Sequence, residues 1–450
     1  MIFFGVGAIV TLIFIITILF QKEFKRFDFE GDVAMASQPI PKQPKTNEDK
    51  TLIGKAKHMA KKIYIPNNAN HIFVCGTTGS GKTVALANFI KSGIDNEYPL
   101  LIVDGKGDIG KDSIYDIVKK LAGQQKKVYV IDLNNPDKSD KYNPFKNTTP
   151  TVIKDMLINM TDWSEEHYKL NTERYLQRLI DLLVKAQIPT SFKNIIDHID
   201  GSNFIELSAD LSKNNVISKD EHKRNINLLK NTKEIIDGSA SRFTSLYESA
   251  IGQIFDDNGV DIYSALQENA IILFILNPLL YPETSPLFGN LIVIDSKKAV
   301  SNLFNSNIKR IFFIFDEINV YATPQFLDLI NKSRSANVTC TLATQSLSDL
   351  DARAGQHFKE QIIENCNNYI VLRQNSEINS EKWAGIIGTR RTMDITYQVN
   401  PEGSTGLGSA KLDRKYIYHP DEIKYFRQGH AIYVSKDSGF HSAIIVEKCF

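Results

Sequence analysis

Runs of consecutive apolar residues recur along the chain, and most have the length of a β-strand. They occupy residues 72–74, 100–104, 128–132, 271–276, 311–316, 338–344, 369–372 and 431–434. Runs of this kind, separated by segments with helical periodicity, are typical of parallel strands that are covered on both faces. The pattern predicts one large α/β domain with a mostly parallel, doubly wound central sheet.

The alternation of strands and helices breaks between residues 148 and 238. Apolar residues recur there at helical spacing, for example in 175–183 and 226–236. We therefore predict an all-α inserted domain at 148–238, which divides the α/β domain into residues 63–147 and 239–450.

The N-terminus has a different character, because residues 1–20 contain no charged side chain. About 20 residues at about 1.5 Å each cross a hydrocarbon core of about 30 Å. Lys22, Lys25 and Arg26 follow at once, which favours a cytoplasmic location for the rest of the chain. We predict a single transmembrane helix at 1–22 and a linker at 23–62. A cleaved signal peptide and a buried helix are the alternative interpretations.

A glycine-rich segment follows the first apolar run and precedes a helix-like segment. It consists of Gly76, Thr77, Thr78, Gly79, Ser80, Gly81, Lys82 and Thr83. The pattern GxxxxGK[ST] between a strand and a helix is typical of a phosphate-binding loop, whose backbone N–H groups surround the phosphates. Lys82 is expected to reach the β- and γ-phosphates of ATP, and Thr83 to hold Mg²⁺.

Hydrolysis requires further groups, and the later apolar runs supply candidates. The run 311–316 ends in Asp316 and is followed by Glu317, which suit a Mg²⁺ ligand and a residue that orients or deprotonates water. Gln345 follows the next run and suits a γ-phosphate sensor, although Ser346 beside it can be a helix cap. Arg334 suits an arginine finger that acts on a neighbouring subunit, with an exposed surface arginine as the alternative.

The charge balance gives no general indication of a polyanionic partner, because 53 basic and 52 acidic residues leave a net charge of +1. Nucleic-acid contacts must therefore come from local basic segments, and 388–392 and 411–415 are candidates, with solvated loops as the alternative. The four cysteines are scattered, without the spacing of a metal site, and we expect them to be reduced.

These motifs, together with the loop 104–108 and the stretch 142–145, resemble the coupling-protein ATPases of type IV secretion and bacterial conjugation, the TraG/TraD type. The resemblance covers nearly all of residues 65–435. It implies a RecA-like P-loop NTPase fold, with Lys82 and Thr83 at the nucleotide and Mg²⁺, and with Asp316 and Glu317 at the metal and water. It also implies that Gln345 is the sensor and that Arg334 acts in trans.

The resemblance further implies a homohexamer that moves DNA, with an all-α domain that receives DNA and relaxase. We therefore expect a single-pass protein of the bacterial inner membrane, with most of the chain in the cytoplasm. Its ATPase would deliver relaxase-linked single-stranded DNA, or another secreted protein, to the components of a type IV secretion channel. The alternatives are an FtsK-type translocase of double-stranded DNA and an ATP-binding receptor that recruits protein effectors.

Three features depart from the family pattern. One apolar segment stands where members often have two membrane helices around a small extracytoplasmic domain, which puts docking by such a domain in doubt. Residue 105 is Gly where members often have Pro, a modest change. The sequence also ends at Phe450 without an acidic C-terminal tail of the kind that recruits partners.

Overall fold

A computed structural model describes residues 49–450, except 58–60, 69, 162, 305, 307, 356, 401 and 402. Its strands form one large sheet and one separate two-stranded ribbon. The strands are Lys50–Ala56 (β1), Lys62–Pro66 (β2), His71–Cys75 (β3), Leu100–Asp104 (β4), Val128–Asp132 (β5), Ile271–Ile275 (β6), Ile311–Asp316 (β7), Val338–Thr344 (β8), Cys366–Val371 (β9), Thr389–Asn400 (β10), Gly403–Tyr416 (β11), His430–Ser435 (β12) and Phe440–Val446 (β13).

The large sheet has 11 strands in the order β2-β1-β13-β12-β9-β3-β8-β7-β4-β6-β5. The segment from β9 to β5 is parallel throughout, whereas β12, β13, β1 and β2 extend it with antiparallel pairings. The prediction of a mostly parallel central sheet is confirmed. All carboxyl ends of the parallel strands meet at one edge of the sheet, which we call the carboxyl edge; the other is the amino edge.

The parallel strands are apolar throughout because both of their faces are buried. Successive residues alternate between two cores, so that Phe73 packs in one and Ile72 and Val74 pack in the other. In β7, Phe313 and Ile314 divide in the same way. Each core is closed by a layer of helices, so the fold has three layers.

The helices in chain order follow the expected α/β alternation, with a helical segment between β5 and β6. They are Lys82–Asp95 (α1), Ile114–Ala122 (α2), Pro150–Met160 (α3), Glu166–Lys185 (α4), Phe192–Ile199 (α5), Gly201–Lys213 (α6), Lys219–Glu248 (α7), Ile262–Gln267 (α8), Thr284–Leu303 (α9), Pro324–Ser333 (α10), Leu347–Ala354 (α11), Phe358–Asn365 (α12), Glu377–Ile387 (α13) and Pro420–Lys424 (α14). Helices α4, α5 and α6 pack on α7, and α3 packs on α9.

A buried polar network joins the start of the helical segment to the α/β body. Lys298 on α9 forms a 2.8 Å ion pair with Asp295 and donates at 2.6 Å to the carbonyl oxygen of Pro144. Tyr142 donates to Asp295 at 2.7 Å. Because these groups are excluded from water, removal of one partner would leave an uncompensated charge. Tyr142 and the carbonyl group of Pro144 thus attach the stretch 142–145 to α9.

Three sequence-based predictions change or fall outside the described residues. The linker at 23–62 is too long, because β1 lies inside it and pairs with β13. The basic segments 388–392 and 411–415 are the paired strands of the β10–β11 ribbon rather than loops. The helix predicted at 1–22 lies outside the described residues, and within the described residues no helix is both long and apolar enough to span a membrane.

His71 connects three elements at the amino edge. Its Nδ1 accepts a hydrogen bond from the backbone of Cys340 at 3.1 Å, and its Nε2 donates to the carbonyl oxygen of Ile330 at 2.9 Å. This arrangement requires a neutral imidazole with its proton on Nε2. Burial and, to a smaller extent, the nearby charge of Arg334 lower the pKa of His71 to about 4, against the opposing effect of the hydrogen bond to Ile330.

We predict that His71 makes the folded state less stable as pH falls from 6.5 toward 4. The unfolded chain binds a proton at this histidine near pH 6.5, whereas the folded chain binds it only near pH 4. The free energy of unfolding should therefore fall by about 2 kcal/mol from this group between pH 7.5 and 5. Urea unfolding of the full-length chain and of His71→Gln measures the difference. Equal pH dependence in both proteins would contradict the assignment.

Candidate active site

The glycine-rich loop runs from the carboxyl end of β3 to the start of α1. Gly79 and Gly81 have φ values of 73° and 111°, in the left-handed region that favours glycine. Gly81 is the N-cap of α1, and the described residues provide no side-chain cap there. The first N–H groups of α1 and the positive end of the helix dipole are therefore available to an anion.

The loop is clamped on its outer side by two neighbouring segments. The backbone of Thr77 donates to the carbonyl oxygen of Arg373 at 3.0 Å, and the backbone of Gly429 donates to that of Ser80 at 2.9 Å. A Cβ atom on Gly76 would lie 2.6 Å from the Leu372 side chain, so only glycine fits at this crossing. The loop is thus held in shape by the segment that follows β9 and by the turn before β12.

Four predicted site residues are linked at the carboxyl edge by hydrogen bonds and one ion pair. Lys82 lies 3.4 Å from Oε1 of Glu317, and Gln345 donates to the same oxygen at 3.0 Å. Thr78 donates to the side-chain oxygen of Gln345 at 3.0 Å. Lys82 also donates to the carbonyl oxygen of Gly76 at 2.9 Å. The structure therefore connects the phosphate loop, the acidic strand end and the sensor.

Glu317 reaches this position through a strained backbone. Its φ of 49° and ψ of 52° are left-handed, which is uncommon for a residue other than glycine and costs roughly 1 kcal/mol or more. A Cβ atom on Gly105 would lie 2.8 Å from the carbonyl oxygen of Asp316 and 3.0 Å from Cβ of Glu317. The missing side chain at residue 105 gives this strand end the space that it needs.

Three buried carboxylates share the region around Lys82. The register of β4 and β7 sets Asp104 opposite Asp316, and Glu317 follows directly. Burial, together with the charges of Glu317 and Asp104, raises the pKa of Asp316 to about 8, against the opposing effect of Lys82. Burial also raises the pKa of Asp104 to about 6. Such a cluster favours the approach of a cation.

The donor atoms fit a nucleotide and Mg²⁺. Oε2 of Glu317, Oγ of Ser80 and Oγ1 of Thr77 are buried and lack a hydrogen-bond partner within the described part of the chain. No group of three or more His, Cys, Asp or Glu in that part could hold a metal ion by itself. Mg²⁺ usually takes one or two protein ligands and completes its shell with phosphates and water, which suits Thr83 and Asp316.

Arg334 is the predicted site residue that lies elsewhere. It follows α10 and precedes β8, so it lies at the amino edge, where it is exposed and close enough to His71 to influence its pKa. The strand β3, five residues long, spans about 15 Å between His71 and the phosphate loop. Arg334 therefore cannot complete the nucleotide site of its own chain.

Asp104 is the functional candidate to which the sequence analysis assigned no role. It is 2% exposed, and its Oδ1 accepts from the backbone of Lys106 at 2.9 Å and of Gly107 at 3.3 Å. The signal was present, because β4 ends in an aspartate as β7 does. What the sequence could not give was the adjacency of β4 and β7, which are far apart along the chain.

Two parts of the chain match known protein families. Residues 52–277, half of the chain, match the family described as "Helicase HerA, central domain", and residues 310–428 match "TraM recognition site of TraD and TraG". The chain belongs to the TraG/TraD-type coupling ATPases. As a member of this family it is an ATPase, with ATP as its substrate and Mg²⁺ as its cofactor.

Solved structures of a coupling protein share the RecA-like fold. The unbound form of the conjugative coupling protein TrwB matches with a TM-score of 0.64 and 16% identity, over 90% of each chain. TrwB in complex with ADP and Mg²⁺ matches with a TM-score of 0.60 and 16% identity, over 89% of this chain and 94% of that chain. An uncharacterized protein of Mycoplasma pneumoniae is 33% identical over 92 residues, which is 17% of this chain and 77% of that protein.

The network assigns each side chain a chemical task for a bound nucleotide. Lys82 would supply positive charge to the phosphates, and the free N–H groups of α1 would add to it. Glu317 would orient the attacking water and accept its proton, while the hydrogen bonds of Gln345 link Glu317 to the phosphate loop. Thr83 and Asp316 would hold Mg²⁺, which supplies charge neutralisation to the transferred phosphoryl group.

We predict that Glu317→Gln binds nucleotide but scarcely hydrolyses it, with turnover reduced at least about 100-fold because the base is removed. Lys82→Ala should instead weaken binding itself, because a direct phosphate contact is lost. Fluorescent-nucleotide titration and phosphate release on the full-length chain separate the two effects. The exposed Glu364→Gln is the matched control. Normal turnover by Glu317→Gln would remove its catalytic assignment.

Proposed function

We propose that the chain is a membrane-anchored motor that uses ATP to deliver DNA to a type IV secretion channel during conjugation. The DNA would be a single strand linked to its relaxase. One observation carries the motor part of this proposal. The phosphate loop and Arg334 lie at opposite edges of the same sheet, so that a complete site requires two copies.

The opposite location of the two groups defines the geometry of the assembly. Each copy would offer its carboxyl edge to one neighbour and its amino edge to the other. Such a contact is heterologous, and repetition of it closes a ring when the rotation permits. A homohexamer with DNA in a central channel is the ring that we propose.

The ribbon provides candidates for contacts with DNA phosphates. Arg390 and Lys415 are paired across the two strands. Lys411 lies on the same face, separated from Lys415 by one same-face residue, Asp413. Their spacing along a two-stranded ribbon suits the backbone of a nucleic acid. Lys415 is also ion-paired with Asp394, which reduces its share of the contact.

The proposed membrane anchor is the apolar segment 1–22, followed by basic residues. It would hold the motor on the cytoplasmic side of the bacterial inner membrane as a single-pass protein. The relaxase, other secreted proteins and the channel components are the remaining proposed partners.

We predict that two inactive variants restore activity to each other. Arg334→Ala keeps its own Glu317, and Glu317→Gln keeps its own Arg334; each alone should lose at least about 100-fold in turnover. In a 1:1 mixture, about a quarter of the sites would combine an intact Glu317 with an intact Arg334 from a neighbour. Phosphate release by full-length chains mixed in detergent measures the recovery.

The control for this mixture pairs Lys82→Ala with Glu317→Gln, which damage the same site and should not complement. Turnover in the Arg334 mixture that stays at the sum of the separate variants would exclude an arginine in trans.

We predict that single-stranded DNA raises the ATP turnover of the full-length chain at low salt, since phosphate contacts weaken steeply as salt rises. Arg390→Gln with Lys411→Gln should lower the slope of log affinity against log salt by about 1 to 2. Stronger stimulation by duplex DNA would favour an FtsK-type translocase. If the assembled protein had the same ATP turnover with and without DNA, the result would favour a receptor for protein effectors.

A further inference from the structure

Exposed apolar side chains are concentrated at the carboxyl edge. Among the described residues, the four most exposed large apolar side chains are Leu279 at 93%, Tyr425 at 82%, Ile378 at 73% and Leu280 at 58%. We call these four residues the rim. Apolar groups that remain in water beside a binding site are typical of a surface that a partner covers.

The rim lies on both sides of the nucleotide site. Leu279 and Leu280 belong to the loop that follows β6, and Ile378 is in the first turn of α13, after β9. Tyr425 directly follows α14, whose Ile423 accepts a hydrogen bond from Gln374 beyond the end of β9. The phosphate loop lies between them, because β3 is located between β9 and the strands β8, β7, β4 and β6.

The β10–β11 ribbon has a second apolar surface. The pairs Met393–Leu412 and Thr389–Tyr416 face each other across the strands, with Arg391–Arg414 between them. Side chains that are paired across two strands lie on the same face of a ribbon, and so does every second side chain along one strand. The side chains of these three pairs therefore lie on one side of the ribbon. Met393 and Leu412 are each 50% exposed. We call this side the ribbon face.

The ribbon face requires a partner on physical grounds. Neither ribbon strand pairs with the large sheet in the described part of the chain, and an isolated two-stranded ribbon is only marginally stable in water. Tyr, Met and Arg are also the residue types enriched in protein interfaces.

The base of the ribbon lies at the same edge as Arg334. The ammonium group of Lys436 donates to the carbonyl oxygen of Ile386, which lies one turn before the ribbon. The backbone N–H of Lys436 donates to the carbonyl oxygen of Asn367 at 2.8 Å. Asn367 follows Cys366, which is paired with His71 between β9 and β3. His71 in turn donates a hydrogen bond to Ile330 in the last turn of α10. The ribbon and Arg334 therefore belong to one surface, the amino edge.

We propose that the ribbon is an assembly arm, whose face packs on the rim of a second copy of this chain. This inference rests on the proposed function, because Arg334 must approach the nucleotide of a second copy. An amino edge that delivers Arg334 there also brings the ribbon to the same carboxyl edge. The ribbon face then covers apolar groups that would otherwise remain in water.

A second copy explains the two surfaces better than a nucleic acid does. The rim consists of three aliphatic side chains and one tyrosine, and it contains no cationic group that would attract a phosphate backbone. On the opposite side of the ribbon, Arg390, Lys411 and Lys415 alternate with Asp394 and Asp413. The apolar pair Met393–Leu412 lies on the ribbon face, which is therefore the side that matches an apolar rim.

The test uses full-length chains in detergent with Mg²⁺ and a non-hydrolysable ATP analogue. A ribbon variant, Met393→Ser with Leu412→Ser, and a rim variant, Leu279→Ser with Leu280→Ser, are compared by sedimentation velocity. Each should raise the concentration for half-assembly at least tenfold. Val184→Ser with Val216→Ser is the matched control, because these side chains are equally exposed at 48% but lie in the helical segment. It should assemble normally.

A 1:1 mixture of the two variants gives the sharper result. The intact ribbon of the rim variant can seat on the intact rim of the ribbon variant, and no further contact is possible. The mixture should therefore form dimers and stop, whereas each variant alone remains monomeric. Normal assembly of the ribbon variant would overturn the proposal, and so would a mixture that stays monomeric. If the ribbon variant assembled normally but no longer bound DNA, the ribbon face would be a surface for nucleic acid instead. The Arg334 mixture described above tests the proposed function independently.

Discussion

The arrangement of the site depends on one buried carboxylate, Glu317, which lies between the ammonium group of Lys82 and the amide of Gln345. A buried carboxylate is stable only when such partners surround it. Glu317 follows β7, Gln345 follows β8, and Lys82 follows the loop after β3. The order of these strands and their common direction are therefore preconditions for the interaction. The left-handed backbone of Glu317 and the missing side chain of Gly105 are local adjustments to the same requirement.

The two edges of the sheet divide the chemistry of the protein. The carboxyl edge collects the phosphate loop, the carboxylates and the sensor, because parallel strands all end there. The amino edge holds the exposed Arg334 and the base of the ribbon. Arg334 is separated from the phosphate loop of its own chain by the length of a strand. In the proposed assembly, the complete site would therefore form only between two copies.

Local signals in the sequence were sufficient for much of the fold and the site. Apolar runs predicted the parallel strands because burial on both faces leaves a direct trace, and the glycine pattern identified Lys82 and Thr83. The role of Asp104 stayed hidden because it depends on pairing between distant strands. The ribbon looked like two basic loops, since its strands contain charged and polar residues at most positions. Strand β1 was obscured by the polar segment that precedes it.

The short strand β3 joins two functions that are usually described separately. One end of β3 continues into the phosphate loop. At the other end, His71 donates a hydrogen bond to Ile330 in the last turn of α10, and Arg334 directly follows that helix. A strand in the centre of a packed sheet is stiff along its length. In the proposed assembly, β3 would therefore carry a shift of the loop on nucleotide exchange to the Arg334 that serves the next copy. The state of one nucleotide site would then influence the neighbouring site, and the order of hydrolysis around the proposed ring would follow from the rigidity of β3.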